Sequence, residues 1–197
     1  MKQPVVISEN LCRSFNGRRA VHNVCLNIKP GEIFGIVGPD GAGKSTLLRM
    51  LATILPPDSG RALVYGFDTV KEDEMVKGRI AYMSQKFGLY PDLTVEENIK
   101  FYADLYCVPA HETEKKINHL LKFSYMHPFR KRLAEKLSGG MKQKLQLICA
   151  LVHTPEILIL DEPTNGVDPV SRRDFWRMLE SLSARGVTLI VSTSYLD

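Results

Sequence analysis

No apolar run in this sequence approaches the roughly 18 residues that a membrane-spanning helix requires, so no such segment is expected. The opening residues Met1-Lys2-Gln3-Pro4 lead into no signal-peptide core. Both absences favour a cytosolic chain, one that can still dock on a membrane protein. The four cysteines, Cys12, Cys25, Cys107 and Cys149, make no C-x-x-C pair and read as free thiols in a reducing compartment. The five histidines show no ligand spacing, so no metal cage built from the protein alone is expected. Basic charge is modest, a formal +4. It comes in pairs such as Arg18-Arg19, Lys115-Lys116 and Arg172-Arg173, with Arg130-Lys131-Arg132 as a triplet. Without interleaved aromatics these are solvated faces rather than a nucleic-acid track, and no nucleic-acid partner is expected. There is no internal repeat and no low-complexity segment.

What is present is an ordinary globular composition, 44% apolar and 24% charged over 197 residues, enough for one domain or one large domain with an insert. Its most informative stretch is Gly38-Pro39-Asp40-Gly41-Ala42-Gly43-Lys44-Ser45-Thr46, which fills G-x-x-x-x-G-K-[ST] without mismatch. Ile33–Val37 ahead of it reads as a buried strand, and Thr46–Leu51 behind it as a helix with an apolar face. A strand, a glycine-rich turn and a helix N-terminus make a phosphate cradle: glycines let the backbone wrap round the anion, and the first helical N–H groups point at it. Lys44 would neutralise β- and γ-phosphates, and the Ser45 hydroxyl would hold Mg²⁺ carried by the nucleotide. A chance glycine-rich turn is the bland alternative, and the strand and helix on either side speak against it.

Along the rest of the chain, Val5–Ile7 and Val24–Ile28 are strand-like around Asn16-Gly17, and Pro56–Gly60 ends the helix after the phosphate loop. Arg61–Tyr65 and Ile80–Met83 read as strands, with Gln85 just beyond the second. From about residue 90 to 153 the pattern is helical. Thr94 followed by Glu97 is a capping box, and Ser138 is an N-cap ahead of Met141, Leu145, Ile148 and Val152. Ile157–Leu160 reads as a central parallel strand, and Asp168-Pro169 opens a helix through Trp176, Leu179 and Leu182. Val187–Val191 is a last buried strand. Strands alternating with helices mean a mostly parallel α/β sheet carrying a helical insert. Asp161 and Glu162 end the central strand, where such sheets place their ligands. One acid can enter a Mg²⁺ shell and the next can polarise a water for in-line attack. A strand-end pair that caps a turn is the alternative.

Leu137-Ser138-Gly139-Gly140-Met141, just ahead of Ile157–Thr164, resembles the signature and Walker B elements of ABC ATPases. The resemblance spans essentially the whole chain. It implies a P-loop NTPase of the ABC type: a mostly parallel core sheet, an N-terminal antiparallel β-subdomain, and a helical subdomain over approximately 88–153. It implies one ABC ATPase domain over 1–197, truncated at its C-terminal end. Phe15 matches the aromatic that stacks on adenine, although a core aromatic is the alternative. Gln85 matches the glutamine that touches Mg²⁺ and relays nucleotide state to a membrane partner, although a strand-end cap is the alternative. Asp168 in Gly166-Val167-Asp168 matches the D-loop. Ser138, Gly139, Gly140 and Met141 would close over the ATP of a second ABC domain packed head to tail, as a homodimer or a fused half. Site residues implied are Gly38 to Thr46 for ATP, Ser45, Gln85 and Asp161 for Mg²⁺, and Glu162, Lys44, Gln85 and position 194 for catalysis.

Three positions depart from the family pattern. Met141 stands where the commonest signature has glutamine, a change the serine and glycines should tolerate. Asp40 lies in the phosphate loop and would best point away from phosphates. Ser194 occupies the place of the switch histidine that contacts the γ-phosphate, so slow hydrolysis is expected; were the rate brisk and indifferent to Ser194→His, Tyr195 or a group on the partner would be the candidate substitute. The run Gln85–Asn98, Tyr65–Asp68 and Lys142-Gln143-Lys144 resemble ABC-2-type exporters, above all multidrug-exporter subunits, some of which fuse two ATPase domains. The expected chain is therefore the ATP-binding subunit of such an exporter, working with an integral-membrane permease on the inner face of the cell membrane. The competing classes are a soluble ribosome-associated ABC protein and an ATP-binding regulatory domain with weak hydrolysis. A DNA-repair member is excluded, because no heptad run separates Lys44 from Ser138.

Overall fold

In the computed structural model, residues 3–194 are described. Strands β1 (Val6–Phe15) and β2 (Arg18–Ile28) form an antiparallel hairpin across Asn16-Gly17. Both turn residues have positive φ, 48° and 78°, the twist-matched tight turn that Asn-Gly favours. The pairing is much longer than the two short strands expected, because three register shifts along β1 let it continue past Asn10 and Asn23. Strand β3 (Ile33–Val37) leads into helix α1 (Lys44–Leu51). Then come β4 (Ser59–Val64), β5 (Phe67–Asp68) and helix α2 (Asp73–Lys77). Tyr65 falls in the turn after β4 rather than in the strand.

Strand β6 (Ile80–Met83) precedes three helices, α3 (Val95–Leu105), α4 (Ala110–Phe123) and α5 (Gly139–Leu151). Strand β7 (Ile157–Asp161), helix α6 (Pro169–Ala184) and strand β8 (Thr188–Thr193) complete the described chain. Two four-stranded sheets result, ordered β2-β1-β4-β5 and β3-β8-β7-β6. The first is antiparallel throughout. In the second, β8 pairs in parallel with β3 and β7. Every residue of β7 is buried, as a covered central strand requires. At the end of the order sits β3, with Ile33 and Val37 exposed.

The described chain forms two compact units. The first comprises residues up to Tyr82, Glu156–Glu162 and the residues from Ser183 onward, and carries both sheets with α1 and α2. Its core joins Leu48 and Leu51 of α1 to Leu11, Ile28, Val64, Ile157, Ile159 and Ile190. Fully burying such side chains stabilises by about 1.5–3 kcal/mol each. The second unit comprises Met83–Pro155 and Pro163–Leu182, so it takes in α6 along with α3, α4 and α5. Helix α3 of this unit starts on a side-chain cap. Thr94 accepts from the Glu97 amide while the Glu97 carboxylate accepts from the Thr94 amide, a complete capping box. Asn98, fully buried, accepts from the Tyr90 amide and donates to the carbonyls of Tyr90, Leu93 and Thr94, folding the approach to α3. Among the described residues no helix is long and apolar enough to cross a membrane.

Candidate nucleotide site

The Gly38–Thr46 loop joins the C-terminal end of β3 to the start of α1. Helix α1 begins at Lys44, two residues earlier than its apolar pattern alone suggests, because Gly43 serves as its N-cap. Gly43 has φ +93° and no side-chain cap, and a Cβ there would lie 2.0 Å from the Ala20 carbonyl oxygen of β2. Only glycine fits, and the first-turn amides are left without a capping side chain, the arrangement that receives an anion.

Lys44 is 8% exposed and folds its ammonium back into the loop. Nζ donates to Gly38 O at 2.6 Å, Pro39 O at 3.0 Å and Ser194 Oγ at 3.2 Å, and lies 3.1 Å from Glu162 Oε1. The Lys44–Glu162 pair is buried on both sides, so removing one partner strands the other charge away from water. Ser45 Oγ donates to Asp161 Oδ1 at 2.9 Å. Asp161, 1% exposed, also accepts from Ser192 Oγ at 2.8 Å and from Tyr82 OH at 3.1 Å. Burial foremost, with the Asp161 charge adding to it, pushes the Tyr82 phenol up to about 12, so it stays a neutral donor. Neither Tyr82 nor Ser192 belongs to a motif in the sequence. A serine ending the otherwise apolar run into β8 was the available clue.

Glu162 adopts φ +50°, an unusual backbone for a non-glycine residue. Its carboxylate meets Lys44, the Ser194 amide at 3.1 Å (Oε2) and Ser194 Oγ at 2.6 Å (Oε1). Ser194 Oγ also lies 2.8 Å from Asp40 Oδ1. Asp40 is therefore exposed but tethered, rather than simply turned away from the loop, and two of the three departures from the family pattern are in contact. Phe15 is 45% exposed and carries the Arg13 guanidinium 5.1 Å from its ring centroid, so it is no core aromatic. Tyr195 lies outside the described residues.

In the second unit, Gln85 is exposed, just past β6. Ser138 caps α5, its Oγ accepting from the Met141 amide at 3.3 Å. A Cβ on Gly140 would lie 2.4 Å from Ser171 Oγ, so a glycine is needed where α5 meets the start of α6. Asp168 Oδ1 accepts from the amides of Val170 and Ser171, and the Ser171 hydrogen bond foremost holds its carboxyl below the usual range.

The donors around the loop suit a magnesium nucleotide. One hydroxyl and one carboxylate are hard oxygen ligands, and no group of three or more His, Cys, Asp or Glu side chains among the described residues could cage a metal by itself.

Residues 21–165 match the family model described as ABC transporter. The chain belongs to the ABC transporter family. It is 50% identical over 199 aligned residues to the probable multidrug ABC transporter ATP-binding protein YbhF of Escherichia coli (strain K12), covering 100% of this chain and 34% of that protein. It is 38% identical over 190 residues to the daunorubicin/doxorubicin resistance ATP-binding protein DrrA of Streptomyces peucetius, 96% of this chain and 58% of that one. The ABC chain thus spans about a third to under two thirds of these relatives. Its fold is that of solved ABC cassettes. The cbiO1 subunit of Clostridium perfringens, part of the cbiONQ ABC transporter complex, superposes with a TM-score of 0.89 at 29% identity, covering 100% of this chain and 80% of that one.

Proposed function

We propose that this ABC domain binds and hydrolyses Mg·ATP to drive export of a substrate through a partner integral-membrane permease of ABC-2 type, docked on the inner face of the cell membrane. It would work with a second ABC domain, a second copy or a fused half, over whose ATP Ser138, Gly139, Gly140 and Met141 close. The single observation that supports this best is the buried Lys44 cluster, in which one ammonium faces loop carbonyls and Glu162 while Ser45 and Asp161 share a hydrogen bond. The polyphosphate would take Lys44 over from those carbonyls. Ser45 and Asp161 would hold Mg²⁺, which supplies charge neutralisation on the phosphates. Glu162, turned toward the loop by its φ, would orient the attacking water. Phe15 is the proposed adenine platform. Gln85, Ser138–Met141 and Asp168 enter on the family pattern. Hydrolysis is expected to be slow, since Ser194 carries no positive charge.

The test is calorimetry of Mg·ATP binding to wild type, Lys44→Ala and Glu162→Gln. A charge-assisted contact of this kind is worth about 1.5–3 kcal/mol, so Lys44→Ala should weaken binding roughly ten- to a hundred-fold. Glu162→Gln should bind ATP and stop turning over. Unchanged affinity in folded Lys44→Ala would sink the assignment.

A further inference from the structure

Gln146 lies on α5, eight residues beyond the Ser138 cap, and is 7% exposed. Its Nε2 donates to the carbonyl oxygens of Ser84 at 3.0 Å and Lys86 at 3.3 Å, the two residues that flank Gln85. Both acceptors are carbonyls, so the amide can face them only through its NH₂ group. The opposite atom, Oε1, is buried with no partner among the described residues. A buried acceptor left unpaired is a standing loss in stability. The donor end of the amide is thus placed to hold this loop. Farther along, the loop is fastened separately to α3, by Tyr102 OH on Gly88 O and by Asn98 on Tyr90. Ser84 Oγ also donates to Lys86 O at 2.8 Å, closing the short turn around Gln85.

We propose that Gln146 is a positioning residue for Gln85, fastening its loop to the helix headed by Ser138-Gly139-Gly140. One rigid helix then carries both the segment that faces the partner's nucleotide and the grip on the glutamine assigned to this domain's own metal shell. A displacement at the N-terminus of α5 is passed to Gln85 through two hydrogen bonds. The inference rests on the function proposed above for Gln85 and Ser138.

Gln146→Met keeps length and burial, removes both donors and removes the unpaired acceptor. Gln146→Glu keeps shape but sets a carboxylate against two carbonyls. Hydrogen exchange of the nucleotide-free protein should show amides 84–88 exchanging on the order of ten-fold faster in Gln146→Met, the worth of two neutral hydrogen bonds. Gln146→Glu should exceed that. The 93–98 segment held by Asn98 should not change, and the Tm of Gln146→Met should not fall. In steady-state turnover kcat should drop about five- to ten-fold while ATP affinity by calorimetry holds, the pattern of a lost transition-state contact. In a Gln85→Ala background Gln146→Met should lower kcat no further. Unaltered exchange at 84–88 overturns the grip. Faster exchange with unchanged kcat, or a loss that adds to that of Gln85→Ala, overturns the positioning role. A wild-type protein without ATP turnover would instead overturn the proposed function, leaving the exchange measurement to judge the grip on its own.

Discussion

Ser194 Oγ has one hydrogen and two carboxylate oxygens within reach, Glu162 Oε1 at 2.6 Å and Asp40 Oδ1 at 2.8 Å. It can donate to only one of them at a time, while Lys44 supplies the neighbouring positive charge. An imidazole at this position would meet both carboxylates and could carry the charge that serine lacks. Ser194→His is therefore expected to raise single-turnover ATP hydrolysis at least several-fold with little change in affinity. The full worth of one preorganised donor, about 10²–10³ in rate, is the upper limit. A brisk wild-type rate that the substitution leaves unchanged would show that the site does without it. The phosphate-loop stretch could be picked out as a candidate from its spacing, and the Asp161-Glu162 pair from its place at the end of an apolar run in a chain that carries such a loop. The contact between Asp40 and Ser194 could not, since it depends on β3 and β8 lying side by side in parallel register.

At the scale of elements, helix α3 owes its start to local chemistry rather than to packing alone. The Thr94 hydroxyl and the Glu97 carboxylate each satisfy an amide of the first turn. Thr94→Ala should lower unfolding free energy by about 1 kcal/mol (range ~0.5–2), and Thr94→Ser should keep most of it, as read by urea denaturation. No change in Thr94→Ala would mean that the Leu133 bridge and the Arg130 clamp on Glu96 and Glu114 hold the turn without its cap. This box could be read directly as two residues three apart, and so could the Ser138 cap and the Asp168-Pro169 start. Helix α2 and strand β5 could not, because five and two residues are too few to show a period. Strand β8 runs on to Thr193 past its apolar residues, because Ser192 is buried through its bonds to Asp161 and Glu162.

For the whole molecule, the alternation of strands and helices announced a parallel core, and the run of helical patterns from residue 90 announced a helical block. The sequence held no hint that α6 would group with that block, since the grouping follows from tertiary contacts across a strand and two turns of chain. One feature of the second sheet bears on the handling of the 197-residue polypeptide. Strand β3 closes the order, and among the described residues no strand pairs with its outer edge. Ile33 and Val37 are 42% and 48% exposed on that strand. An edge strand with exposed apolar residues can serve as a template for another copy. Self-association should therefore rise with concentration, and Ile33→Lys, far from the phosphate loop, should suppress it in sedimentation velocity without altering ATP affinity. Equal sedimentation of the two proteins would show the edge to be innocent. If the expectation holds, the strand that carries the phosphate loop at one end also sets the concentration at which the polypeptide can be stored.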